Sequence, residues 1–209
     1  MQLLARWPLD EGDDLAARLV AAYGEPRRSY HDLRHLVEVL DRLDELAEAG
    51  TPFDAVPVRL AAWFHDAVHD GRPDDEERSA RWAEEALAVV DVDAGVVAEV
   101  ARLVRMTEHH DPAGADRNGA ALSDADLAVL ARPPQRYADY VAAVRREYAH
   151  VPDDQFAIGR AAVLRELLAA DRLFRTDHGH DRWEDVARRN VEAELAGLEP
   201  RSGLSGGTT

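Results

Sequence analysis

An all-α fold, one compact helical bundle, is what the sequence predicts, and three observations carry that expectation. Apolar residues recur with a helical period along most of the chain, and no segment alternates as a strand or hairpin would. Gly and Pro cut the pattern into lengths of one helix each. At 209 residues, the chain suits one domain with a substantial core. The first helix is expected at Asp13–Tyr23, ended by Gly24–Pro26, and a longer one at Tyr30–Ala49, stopped by Gly50–Pro52. Ala55–Asp70 tolerates Pro57 in its first turn and ends at Gly71–Pro73. Asp75–Val90 and Ala94–His109 precede a polar break at Asp111–Gly119. Ser123–Ala131 and Gln135–Ala149 flank Pro133–Pro134, and Asp154–Leu173 and Arg182–Leu198 complete the set. No repeat or composition shift divides residues 1–200. Residues 201–209, RSGLSGGTT, read as a disordered tail.

The formal net charge of −16 argues against broad contact with a nucleic-acid polymer or an anionic membrane, which needs clustered Lys and Arg. It leaves room for a small phosphorylated substrate, because a bound cation reverses the local field. The chain has no cysteine, so disulfides, thiolate zinc sites and thiol nucleophiles are excluded. No stretch has the length of a signal peptide or a membrane span, and a soluble cytoplasmic protein is the expectation. A homodimer is compatible with all of this.

The stretch Trp63–Asp70, WFHDAVHD, is the most informative in the chain. At about 100° per residue, Leu60, Ala61, Phe64, Ala67 and Val68 form one arc of a helix. His65, Asp66, His69 and Asp70 form the other. Solvated faces usually carry Lys, Glu and Arg. Short imidazole and carboxylate groups suit a metal instead.

Ionisable groups on apolar faces add to the pattern. Asp126 lies in the direction of Leu122, Val129 and Leu130, so it is expected to point inward and to need a cation or strong donors. Asp124 projects to the opposite side and, with Ser123, reads as an N-cap. Arg160 sits among Phe156, Val163, Leu164 and Leu167, where it either pairs with a buried carboxylate or grips a substrate phosphate. His110 continues the stripe Val100, Leu103, Val104 and Thr107, while His109 faces away. His31 and His35, four apart, share a face that periodicity alone assigns to solvent.

The ordered series His35, His65–Asp66 and Asp126 resembles the H…HD…D signature of the HD superfamily of metal-dependent phosphohydrolases. More of the chain is similar to one uncharacterised bacterial branch of predicted HD phosphohydrolases: YHDLRHL, WFHDAVHD, ERSA, LSDADLAVL, RREYAHVP, GRAAVL and ARRNVEAEL. The resemblance implies an HD-type bundle with His35, His65, Asp66 and Asp126 as metal ligands, against the wheel for His35 and with it for Asp126. Mn, Mg, Fe, Co or Zn each fit a mixed nitrogen and oxygen set. HDAVHD is also similar to the HDTVED-type segment of alarmone hydrolases, with His69 standing where that family has an acid.

What this implies is hydrolysis of a phosphate ester or anhydride of a small nucleotide-like metabolite. Asp70 is the expected proton acceptor, followed by Glu76 and His69, and His31, His110 and Arg160 are expected at the substrate. Three other readings compete. A zinc peptidase would use the two histidines of HDAVH four apart. An HD-type diiron oxygenase would need further ligands, for which only His109 or His110, with Glu76 in place of the other, are at hand. A catalytically silent regulatory module would bind nucleotide and metal without turnover.

Overall fold

The computed structural model describes residues 3–198, and these fold into nine α-helices with no strand among them. In order they are α1 (Asp13–Tyr23), α2 (Leu33–Glu48), α3 (Ala55–Phe64), α4 (Asp75–Val89), α5 (Ala94–Met106), α6 (Arg117–Leu127), α7 (Pro134–Glu147), α8 (Asp153–Ala169) and α9 (Asp177–Leu198). Short 3₁₀ turns at Leu4–Arg6 and Ala128–Ala131 complete the order. The tail expected at 201–209 lies outside the described residues. None of the described helices is long and apolar enough to cross a membrane.

The centre of the bundle is α3. It is apolar almost all round, as a helix enclosed by others must be, and seven of its ten residues are buried. Helices α2, α5 and α6 pack around it. Leu60, Trp63 and Phe64 join Leu36, Leu40, Leu43, Leu103 and Leu122 in one hydrophobic core. Trp63 meets Trp7 edge to face at 5.3 Å, a favoured arrangement for aromatic rings. Helix α9 covers the other end, lying along α8 and the Ala128–Ala131 turn. Asn190 on α9 donates to the carbonyl oxygens of Leu130 and Arg132 at 2.8 Å each and ties that turn down.

Several boundaries differ from the sequence expectation. Helix α3 stops at Phe64 instead of running to Asp70. The backbone groups that would extend its ladder are taken by other partners. Asp66 N–H bonds the Tyr23 hydroxyl, Val68 N–H bonds Ser79 Oγ, and Asp70 N–H bonds Asp75 Oδ2. The buried Arg28 guanidinium donates to the carbonyls of Asp66 and Ala67, at 2.6 and 2.9 Å, and to that of His31 at 3.0 Å. A backbone satisfied by side chains has no need of a helix.

Helix α2 likewise starts at Leu33, so His31 lies in the turn before it. The expected shared face with His35 does not exist. Helix α6 starts six residues earlier than expected, capped by Asp116, which accepts from Gly119 N–H at 2.9 Å. Asp124 therefore sits in the interior of α6, completely buried, and is no N-cap of its own helix. It accepts from Arg175 N–H, Thr176 N–H and Thr176 Oγ1 at 2.7–2.8 Å, just ahead of α9. Burial nevertheless raises its pKa to about 6.

Candidate metal centre

Three elements deliver the central residues. His35 comes from the first turn of α2, His65 and Asp66 from the turn that ends α3, and Asp126 from the last turn of α6. His35 and Val39 are four apart on the buried side of α2, which is wider than its leucine stripe alone suggests. His35 Nε2 and His65 Nε2 face each other at 3.0 Å. Asp126 Oδ1 is 3.2 Å from the first and 3.8 Å from the second. Asp66 Oδ2 meets the same two nitrogens at 3.2 and 3.0 Å.

These separations fit a cation. Metal–ligand bonds of about 2.1 Å place neighbouring donor atoms about 3.0 Å apart at a right angle and about 3.4 Å apart at a tetrahedral one. His35, His65 and Asp126 form a group able to hold a metal ion, with donor atoms all within 4.8 Å of one another. His65 Nδ1 lies 2.8 Å from the Ala62 carbonyl and donates its proton there, which leaves Nε2 as the lone-pair nitrogen. Asp66 Oδ2 is buried, has two ring nitrogens beside it, and makes no well-formed hydrogen bond. An acceptor in that state has its lone pairs aimed where a ligand bond would form.

Electrostatics follow from this crowding. Burial works against charge on His35, but Asp126 and Asp66 outweigh it and carry the pKa up to about 10. Burial likewise opposes ionisation of Asp126, and His65, His35 and His110 overcome it and hold the carboxyl well below the usual range. His110 stands past the end of α5 in left-handed backbone, φ +50°, which is uncommon outside glycine. Its Nε2 is 3.4 Å from Asp126 Oδ2, its Nδ1 is buried without a partner, and burial lowers its pKa.

The remaining expected residues separate into two groups. Asp70 is out of the centre, since the helical face meant to carry it is absent. Its carboxylate pairs with Arg27 at 2.5 Å and Arg78 at 2.6 Å, and these guanidiniums lower its pKa, the reverse of what a proton acceptor needs. Arg160 takes the structural of its two expected roles. It donates to Glu194 at 2.7 and 3.1 Å and to the Tyr140 hydroxyl at 3.0 Å, all within the α7–α8–α9 packing. Glu76, half-buried, keeps a raised pKa from burial and from Asp66, Asp75 and Glu108 nearby. His31 and His69 both bond Glu147 on α7.

Two adjoining hollows, of about 510 and 350 Å³, open onto His35, the first of them reaching Asp126 as well. Arg132 and Arg136 line both. Arg132 pairs with Glu38, and burial, with a smaller contribution from Arg136 and Arg34, lowers its pKa. Neither arginine stood out in the sequence, because only the turn after α6 and the start of α7 bring them to these hollows. Glu147 was visible within RREYAHVP, but nothing local marks it as a partner for histidines 78 and 116 residues upstream.

Fold and site together define a helical bundle with a buried His/Asp centre able to hold a metal ion. Set against protein-family models, curated proteins and solved structures, the chain has no match in any of the three.

Proposed function

We propose that this protein is a metal-dependent hydrolase of phosphate esters or anhydrides of a small nucleotide-like metabolite, akin to HD-superfamily phosphohydrolases. One observation carries the reading: His35, His65 and Asp126, drawn from three separate elements, bring their donor atoms together beside an open groove, with Asp66 Oδ2 against both ring nitrogens. A divalent cation held there supplies an acidified water and polarises a phosphoryl oxygen. His65 is set in the right tautomer by the Ala62 carbonyl, and Arg28 holds the turn that aims both His65 and Asp66. Glu76, whose pKa is raised by burial and by the charge of Asp66, takes the place of Asp70 as the group that accepts the proton. Arg132 and Arg136 offer the groove's cations to the substrate phosphates, in place of the occupied Arg160.

The test is a panel of phosphatase, phosphodiesterase and pyrophosphatase substrates, each supplied with Mn, Mg, Fe, Co or Zn. Release of phosphate, or cleavage of a diester, by the wild-type chain supports the reading. His65→Ala is expected to lose both metal and turnover while its far-ultraviolet circular dichroism stays helical. A wild-type chain that binds metal and nucleotide but turns over nothing on the panel is a regulatory module instead.

A further inference from the structure

Beside the first centre lies a second convergence of donors. His31 Nδ1 and His69 Nε2 are both directed at Glu147 Oε1, the latter at 3.0 Å, and all three atoms lie within 4.8 Å of one another. The carboxylate cannot turn away. Its other oxygen accepts the backbone N–H groups of Ser29, Tyr30 and His31 at 2.8–3.2 Å, and the side chain is only 6% exposed. That pinning leaves Oε1 as a single fixed donor toward the two imidazoles, the arrangement by which outer hydrogen bonds orient a ligating carboxylate.

The two rings lie 4.1 Å apart between centroids and 36° from parallel. The cluster also adjoins the first centre: the His31 ring is 5.7 Å from that of His35, and His69 follows Asp66 by three residues in the turn held by Arg28 and Arg27. A hollow of about 140 Å³ lined by His69 and Glu147 leaves room for water to complete a coordination shell.

We propose that His31 Nδ1, His69 Nε2 and Glu147 Oε1 form a second site for a divalent transition-metal ion, next to the His35/His65/Asp126 centre. The inference deepens the phosphohydrolase reading and rests on its first metal. Two adjacent cations suit a phosphoryl group, since one can stabilise the attacking oxygen and the other the leaving oxygen.

Equilibrium dialysis of the full chain against manganese(II), with metal counted per chain by elemental analysis, decides it. Wild type is expected to hold two ions, and His69→Ala and Glu147→Gln one each. Glu147→Gln keeps an acceptor for the three backbone amides, so its loss of one ion reports ligation, and helical circular dichroism checks the fold. A wild type that saturates at one ion, lost in His65→Ala and kept in Glu147→Gln, overturns the second site and leaves the first standing. Two ions retained in both His69→Ala and Glu147→Gln also overturn it. A wild type that binds none overturns both sites.

Discussion

Asp66 and Asp70 stand four positions apart, and their fates differ because the backbone between them is not helical. Asp66 remains at the centre, while Asp70 is neutralised by Arg27 and Arg78 at the surface of the turn. A carboxylate whose pKa is lowered by two guanidiniums is a weak base, whereas that of Glu76 is raised by burial and by neighbouring acids. Asp70→Asn is therefore expected to retain its metal and to change turnover by no more than about threefold. Glu76→Gln is expected to lower turnover by roughly 10²-fold at unchanged metal content, the scale of a lost general base. Steady-state assays of both variants on the best substrate of the panel, with metal measured in the same samples, check the assignment. Equal turnover in Glu76→Gln and wild type would remove Glu76 from the chemistry.

At the scale of elements, the segment from His65 to Asp70 owes its shape to residues on either side of it. Arg28 is the main brace, with three carbonyls on its guanidinium and its cation over the Tyr23 ring at 5.2 Å. Replacing it by methionine keeps much of the volume but strands those carbonyls. A buried acceptor left unpaired costs about 1–3 kcal/mol, and partial relaxation brings the expected total to about 3 kcal/mol. For a chain of this length, that lowers the melting temperature by roughly 6–12 °C. Arg28→Met is also expected to weaken metal retention, since the turn carries His65 and Asp66. Calorimetry and dialysis on the same preparation test both parts. Undiminished stability would show that the turn is held by Asp75 and Ser79 without Arg28.

Across the whole molecule, α9 closes the bundle, and its start depends on two buried carboxylates from different places. Asp124 reaches up from α6 to Arg175 and Thr176, and Glu184 reaches back from α9 to the N–H groups of Leu173 and Phe174 at 3.0–3.1 Å. Burial opposes the charge on Glu184, but those amides and Arg188 outweigh it, so its folded pKa is lowered. A lowered carboxyl pKa contributes stability above the unfolded value, about 4.3, and that contribution disappears as pH falls through the folded value. The melting temperature of Glu184→Gln is accordingly expected below that of wild type at pH 7, with the gap closing as pH drops below about 4. A gap of constant width from pH 7 to pH 3 would mean that the ionised carboxylate adds nothing beyond its shape.

The amino-acid sequence by itself determined the all-α class and the approximate run of most helices, α3 and α6 excepted, because burial of apolar residues at a 3.6-residue period is a local, repeating signal. It also marked Asp126 as lying in the direction of Leu122, Val129 and Leu130, although the last two belong to the 3₁₀ turn after α6 and Asp126 is partly buried. Tertiary structure alone decided the rest. Whether residues 65–70 are helical depended on Arg28, Asp75 and Ser79, which compete for backbone groups from outside the segment. Asp124 became buried because the start of α9 offers it three donors, and Arg160 became structural because Glu194 lies across from it. His35, Arg132 and Glu147 acquired their places only when α2, the turn after α6 and α7 were packed together. Helical period reports which face of an element is apolar; it carries no information on which charged group another element will place opposite.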